Sequence, residues 1–160
     1  MEAIITAATV MAMYLNVTTS GEGPYAYNAD IENGRVNSLV IFEDRDDSLT
    51  PKLQYSYKYD EDGRLVARED RKWNSWRREY EPYRLTEYQY GDEGYTVQLR
   101  RWNRSRNAYG DAVEKMEYSR IGENVMAVDT YRRDKGSDEL TLCDNFLVMH
   151  PDLMALKDRK

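Results

Sequence analysis

The chain has 160 residues, enough for one domain with a modest core, and a formal net charge of −6. Of its 41% apolar residues, 14 are tyrosines and only 2 are phenylalanines. Tyrosine buries a ring while keeping its hydroxyl near water or a partner, so this composition suits a thin sheet with wet faces and not a thick dry core. The acidic balance argues against nucleic acid as a partner, and the single Cys143 excludes an intramolecular disulfide.

The first stretch, Ala3 to Val17, carries no charge. It is too short for a comfortable membrane span. Its length fits the apolar core of a secretory signal, with small residues at Thr18 and Ser20 where a signal peptidase needs them. The other reading is an ordinary strand. Residues 1–20 are thus a signal peptide or lead-in, 21–150 a β-meander domain, and 151–160 a tail containing Leu153, Met154 and Leu156. Gly21 to Asn28 reads as an extended lead-in. Asn33–Gly34 is a strong hairpin signal, because both central positions of a type I′ turn need positive φ. It pairs Tyr25 to Ile31 with Val36 to Glu43. Asp44 to Pro51 reads as a loop.

Period-two alternation then dominates. Leu53, Tyr55, Tyr57 and Tyr59 share one face of a strand. Gly63 turns the chain into Leu65 to Trp73. Asn74 to Pro82 reads as a longer loop holding Trp76 and Tyr80. Tyr83 to Tyr90, a turn at Gly91 to Gly94, and Tyr95 to Trp102 follow. A second long loop, Asn103 to Asp111, precedes Val113 to Tyr118. Gly122–Glu123–Asn124 turns into Val125 to Tyr131, and the loop Arg132 to Asp138 leads to Leu140 to Val148. The expectation is an all-β fold: an antiparallel meander of about eight or nine strands, strongly twisted as a single sheet or a half-barrel.

The meander has a beat. Trp73–Asn74 recurs 29 residues on as Trp102–Asn103, and Tyr59–Asp60–Glu61–Asp62–Gly63 is echoed 31 residues on by Tyr90–Gly91–Asp92–Glu93–Gly94. Periods in this range signal stacked supersecondary units. With Lys72–Trp73–Asn74 and Arg101–Trp102–Asn103 opening its two longer loops, the stretch from about Tyr25 to Phe146 resembles a Bacteroidales family of small secreted β-repeat proteins, classed as a domain of unknown function. Tyr57 to Leu65 is more loosely similar to the Tyr–Asp repeats of large secreted β-shell proteins. The family resemblance implies an exported β-repeat fold and supplies no activity or catalytic residue.

Chemistry-bearing clusters are sparse. If Gly63 stood at position 6 of a calcium loop, Asp60, Asp62 and Glu69 would fall at ligand positions, but Lys58 would occupy position 1. The stretch reads instead as an acidic turn, so no metal or other cofactor is expected. His150 is the only histidine, which argues against a His-dependent nucleophilic triad. Two carboxylates alone can run a glycosidase, but 29 acidic residues give that signal no specificity. No enzymatic activity is expected.

The suggestive residues are aromatic: Trp73, Trp76, Tyr80, Trp102 and Tyr109, interleaved with Arg71, Arg77, Arg78, Arg101 and Arg104. Aromatic faces beside arginine bind sugar rings or stack the bases of a single strand, and the acidic balance disfavours the bases. Alternatively these rings cap the sheet end and pack on the neighbouring unit. Three functions are therefore weighed. The first is a non-catalytic exported binding module using these loops, with a glycan or a protein as partner. The second is a structural envelope protein that self-associates through its sheet. The third, and weakest, is a glycan-acting enzyme. The oligomeric state stays open.

Overall fold

Strand-forming segments with short turns between them leave the chain little choice but to fold back on itself. In the computed structural model, which describes residues 5–19 and 23–149, nine antiparallel strands form one sheet in sequence order. They are β1 Tyr25–Glu32, β2 Arg35–Arg45, β3 Ser48–Tyr59, β4 Leu65–Asn74, β5 Glu79–Gly91, β6 Gly94–Asn103, β7 Ala108–Gly122, β8 Val125–Arg133 and β9 Leu140–Met149. The order is linear, so the meander stays open and does not close into a barrel.

The joints follow the turn chemistry. Asn33 and Gly34 both have positive φ, as the β1–β2 turn requires. At Asp60–Gly63 the Asp60 carboxylate is satisfied locally. Its Oδ1 accepts the Asp62 and Arg64 N–H groups at 3.0 and 2.9 Å, and its Oδ2 accepts Arg64 Nε at 2.7 Å. Those bonds to the charged form hold its pKa below the usual carboxylate range. Gly94 allows a close crossing, since a Cβ there would lie 1.8 Å from the Tyr118 carbonyl oxygen.

Three expectations need correction. Asp44 to Pro51 is not a loop: β2 and β3 run through it and meet in a tight turn at Asp46 and Asp47, at φ 51° and 61°. Aspartate tolerates the left-handed region, so no glycine marks that turn. The two long loops likewise shrink to four residues each, 75–78 and 104–107. Finally, the strand alternative for the first stretch fails, because Ala7–Thr19 is an α-helix, α1. Ala, Met and Leu favour the helix. Thr6 caps it, its Oγ1 accepting the Thr9 N–H at 3.3 Å. None of the described helices is long and apolar enough to cross a membrane. The tail from Pro151, with His150, lies outside the described residues.

Helix α1 lies across one face at the β1–β4 end. Val10, Val36 and Leu65 form the buried cluster, with Ile5, Tyr14, Tyr57, Tyr59 and Tyr88 packed around it. Ala7 N–H donates to Gly63 and Leu65 N–H to Ile5, which pins the helix start to the β3–β4 turn. Tyrosine lets this thin core stay hydrogen-bonded: Tyr59 donates to the Val36 carbonyl at 2.8 Å and Tyr90 to the Leu65 carbonyl at 2.6 Å. Burial raises the Tyr57 and Tyr59 hydroxyls to about 12.

Candidate functional site

Two hairpin tips stand side by side at the sheet end that holds residues 75–78 and 104–107. Each is built by the same four-part frame. The Trp73 and Tyr80 rings meet edge to face at 5.0 Å, and so do Trp102 and Tyr109. Register pairs Trp73 with Tyr80 and Trp102 with Tyr109 across their ladders. Asn74 Oδ1 accepts the Trp76 and Arg77 N–H groups at 3.0 and 3.2 Å, and Asn103 Oδ1 accepts the Arg106 N–H at 3.2 Å. The fourth part is a left-handed residue closing each turn, Arg78 at φ 55° and Asn107 at φ 51°. Edge-to-face ring pairs contribute about 0.5–1.5 kcal/mol beyond their burial.

A cleft of about 480 Å³ opens between the two tips. It exists because the β5–β6 ladder ends at Arg84–Arg101. Two residues beyond, Pro82 has no N–H to continue the ladder. From there Tyr80 and Pro82 line one wall and Trp102, Arg104 and Asn107 the other, with Arg77, Glu79 and Glu81 beside them. Glu81 is the polar centre. It accepts Asn74 Nδ2 and Arg104 Nη2 at 2.9 Å each, and Arg77 Nη1 lies 3.4 Å away. A single carboxylate thus ties both tips together.

The predicted residues divide. Tyr80, Arg77, Trp102 and Arg104 come together in the cleft, and Trp76 projects from the first tip at 95% exposure. Trp73 and Tyr109 are half-buried frame residues and do not line it. Arg78 serves the turn through its backbone. Arg101 is exposed opposite Arg84 in register, and Arg71 pairs with Glu69. The Tyr109 hydroxyl is buried, and burial followed by the neighbouring Glu69 carboxylate pushes it up to about 12.

Sequence reasoning missed Glu81, Pro82 and Asn107, which carry no signal of their own. It also missed a buried ion cluster in the β4–β5 stem. Asp70, 1% exposed, accepts Arg68 Nε at 2.8 Å and Nη2 at 3.0 Å. It also accepts Arg84 Nε at 2.8 Å and Nη2 at 2.6 Å. This cluster edges a second, smaller trough of about 240 Å³, where Tyr88, Tyr95, Val97, Leu99, Met116 and Tyr118 lie beside Ile5. Its Tyr95 and Tyr118 rings stack at 4.4 Å. Among the described residues no group of His, Cys, Asp and Glu is arranged to hold a metal ion.

Chemically, the cleft offers ring faces at Tyr80 and Trp102 and a rim of guanidinium, carboxylate and amide groups. Aromatic walls with a few convergent polar groups are the usual anatomy of a small-molecule site.

Comparison with other proteins places this architecture. The model of a family of unknown function (DUF3836) matches residues 1–120. No curated protein matches. A crystal structure of a DUF3836 family protein from Bacteroides vulgatus ATCC 8482 is 32% identical, with a TM-score of 0.53 over 54% of this chain and 89% of that one. A protein with unknown function from Bacteroides fragilis NCTC 9343 is similar at 20% identity and a TM-score of 0.69, covering 84% of this chain and 97% of that one. A DUF3836 family protein from Parabacteroides distasonis ATCC 8503 matches at 18% identity and a TM-score of 0.51, over 82% and 95%. The last two likenesses speak to fold alone.

Proposed function

Since the chain belongs to the DUF3836 family, a family of unknown function, we propose from its geometry that it is a non-catalytic, exported binding module whose contact surface is the cleft between the two hairpin tips. The ligand class that fits best is a glycan. A sugar ring presents C–H faces to Tyr80 and Trp102 and hydroxyls to Arg77, Arg104, Glu79 and Asn107, which between them supply donors and acceptors. The observation that carries the reading is the convergence of both tips on Glu81, with Arg104 reaching across from the second tip at 2.9 Å. That contact keeps the cleft walls in place before a ligand arrives, and preorganisation of this kind lowers the cost of binding.

The test separates contact from scaffold. Arg77 and Arg104 line the cleft with exposed side chains, so Arg77→Ala and Arg104→Ala leave the fold intact. A glycan array probed with the native chain identifies ligands, and each variant weakens retention about tenfold, or about 1.4 kcal/mol. Unchanged retention in both variants rejects the cleft. Export is tested by intact mass from the native host: removal of the first stretch supports it, and an unprocessed chain counts against it. A structural, self-associating role is the second reading, favoured by the exposed apolar side chains of β9.

A further inference from the structure

The two edges of the sheet are not alike. β1 is short, at 8 residues, carries Asp30 and Glu32, and is broken by a register shift between Asp30 and Ile31. Charge, brevity and irregularity are the usual guards of an open edge. β9 is longer and holds one charge, Asp144, in its 10 residues. Its register shift lies between Thr130 and Tyr131 of β8, so Asp144 to Met149 pairs with β8 without interruption. That stretch has no proline and no basic residue. Thr141 to Met149 are all exposed, with Phe146 at 49% and Leu147 at 63%. Among the described residues β9 pairs with β8 alone. Its outward N–H and C=O groups therefore form a ready template for another strand.

We propose that this row is filled by β9 of a second copy, antiparallel across a two-fold axis centred on Phe146. The register argument is specific. Phe146 and Val148 share a face with Val128 and Met126, while Leu147 shares the other with Ala127. A two-fold that keeps like faces together must pair residues of the same parity, because side chains alternate along a strand. Centring on Phe146 sets Phe146 against itself, Asn145 against Leu147 and Asp144 against Val148. No two carboxylates then face each other, and the two Asp144 groups lie four residues apart along the strands, about 13 Å. In a chain of net charge −6 that separation matters. The guarded β1 edge makes a poor partner, and a β9-to-β1 contact would be head-to-tail, with no two-fold to close it as a dimer. The β9 pairing closes as a dimer with one continuous sheet. It does not rest on the cleft reading, since β9 is three strands from β6.

Sedimentation of the full chain from low to several hundred micromolar tests association, and cysteine placement tests register. The native chain doubles its mass with concentration, while Phe146→Lys stays monomeric with an unchanged circular dichroism spectrum. In a Cys143→Ser background, F146C oxidises to a disulfide dimer, because directly opposed residues place Cα atoms at about 4.5–5.5 Å, within disulfide range. L147C, facing Asn145 in this register, stays monomeric under the same oxidation. A native chain that is monomeric throughout overturns the proposal. So does dimerisation that survives Phe146→Lys, or cross-linking of L147C as readily as F146C.

Discussion

The β4–β5 and β6–β7 hairpins are the instructive pair. Shifted by 29 residues, their tips share a frame: Trp73 with Trp102, Asn74 with Asn103, Arg78 with Asn107, Tyr80 with Tyr109. Their stems do not match. Arg68, Asp70 and Arg84 of the first become Val97, Leu99 and Val113 in the second, so one stem carries a buried ion cluster where the other carries half-buried aliphatic side chains. The tip residues differ as well, Trp76 against Ser105 and Glu81 against Gly110. The lesson is a division of labour. Ring pair, Asn cap and left-handed closing residue make the hairpin, and the positions between them are free to vary.

The largest effect expected is in the stems. Asp70→Ala leaves two arginines facing a low-dielectric site without their counter-charge and costs about 3–5 kcal/mol. Leu99→Ala, at the corresponding place, removes partly buried aliphatic packing and costs about 2 kcal/mol. Urea denaturation measures both, and equal costs would erase the contrast between ionic and aliphatic stems.

Next comes the shared frame. Trp73→Ala and Trp102→Ala each cost about 3 kcal/mol, the low end for a large aromatic, because both rings are only half-buried. The comparison requires the two values to agree. If one tip tolerated its substitution while the other unfolded, the frame would not be common to both.

A third measurement uses alkaline pH. Tyr109 is raised to about 12 by burial and by Glu69, above the value of about 10 for an unfolded tyrosine. The folded state therefore keeps a proton that the unfolded state has lost. Its contribution to stability is complete below pH ~10 and disappears as pH climbs to about 12. Absorbance titration at alkaline pH, taken as the difference between the native chain and Tyr109→Phe, isolates this phenolate from the other late-titrating tyrosines. Glu69→Gln removes the facing negative charge and shifts the late tyrosine transition down. An unchanged titration would separate Tyr109 from the first hairpin.

The smallest effect refines the turns. Arg78 and Asn107 both sit in the left-handed region, but asparagine tolerates it better than arginine. Arg78→Gly therefore stabilises by about 0.5–1 kcal/mol and Asn107→Gly changes little. Thermal melts resolve the difference, and a larger gain at Asn107 would reverse the assignment.

Much of the meander was legible because strand periodicity and turn chemistry are local. Tyr55, Tyr57 and Tyr59 alternate onto one face, and Asn33–Gly34 marks its hairpin without help from the rest of the chain. The same logic hid the lengths of the joints. Glu79, Glu81 and Pro82 look like loop residues, and Arg78 gives no hint of positive φ, so a four-residue turn read as nine. Helix α1 escaped for a different reason. An uncharged run rich in Thr, Val and Ile fits a strand or a secretory segment by composition, and the outcome is decided by the Thr6 cap and by packing of Val10 on Val36 and Leu65. Of the candidate site, the aromatics and arginines were visible but their partition was not. Trp73 and Tyr109 turned out to be frame, while Tyr80, Trp102, Arg77 and Arg104 face the cleft.

By itself, the sequence determined the all-β class, the antiparallel order and the two matching Trp–Asn joints, since each rests on residues within a few positions of one another. Only the tertiary structure decided where pairing stops. The separation of the tips beyond Arg84–Arg101, the meeting of Glu81 with Arg104 across 23 residues, and the junction of Asp70 with Arg84 across 14 depend on register between strands. Register is a property of the whole sheet, because a one-residue slip anywhere in a ladder sends every later side chain to the opposite face.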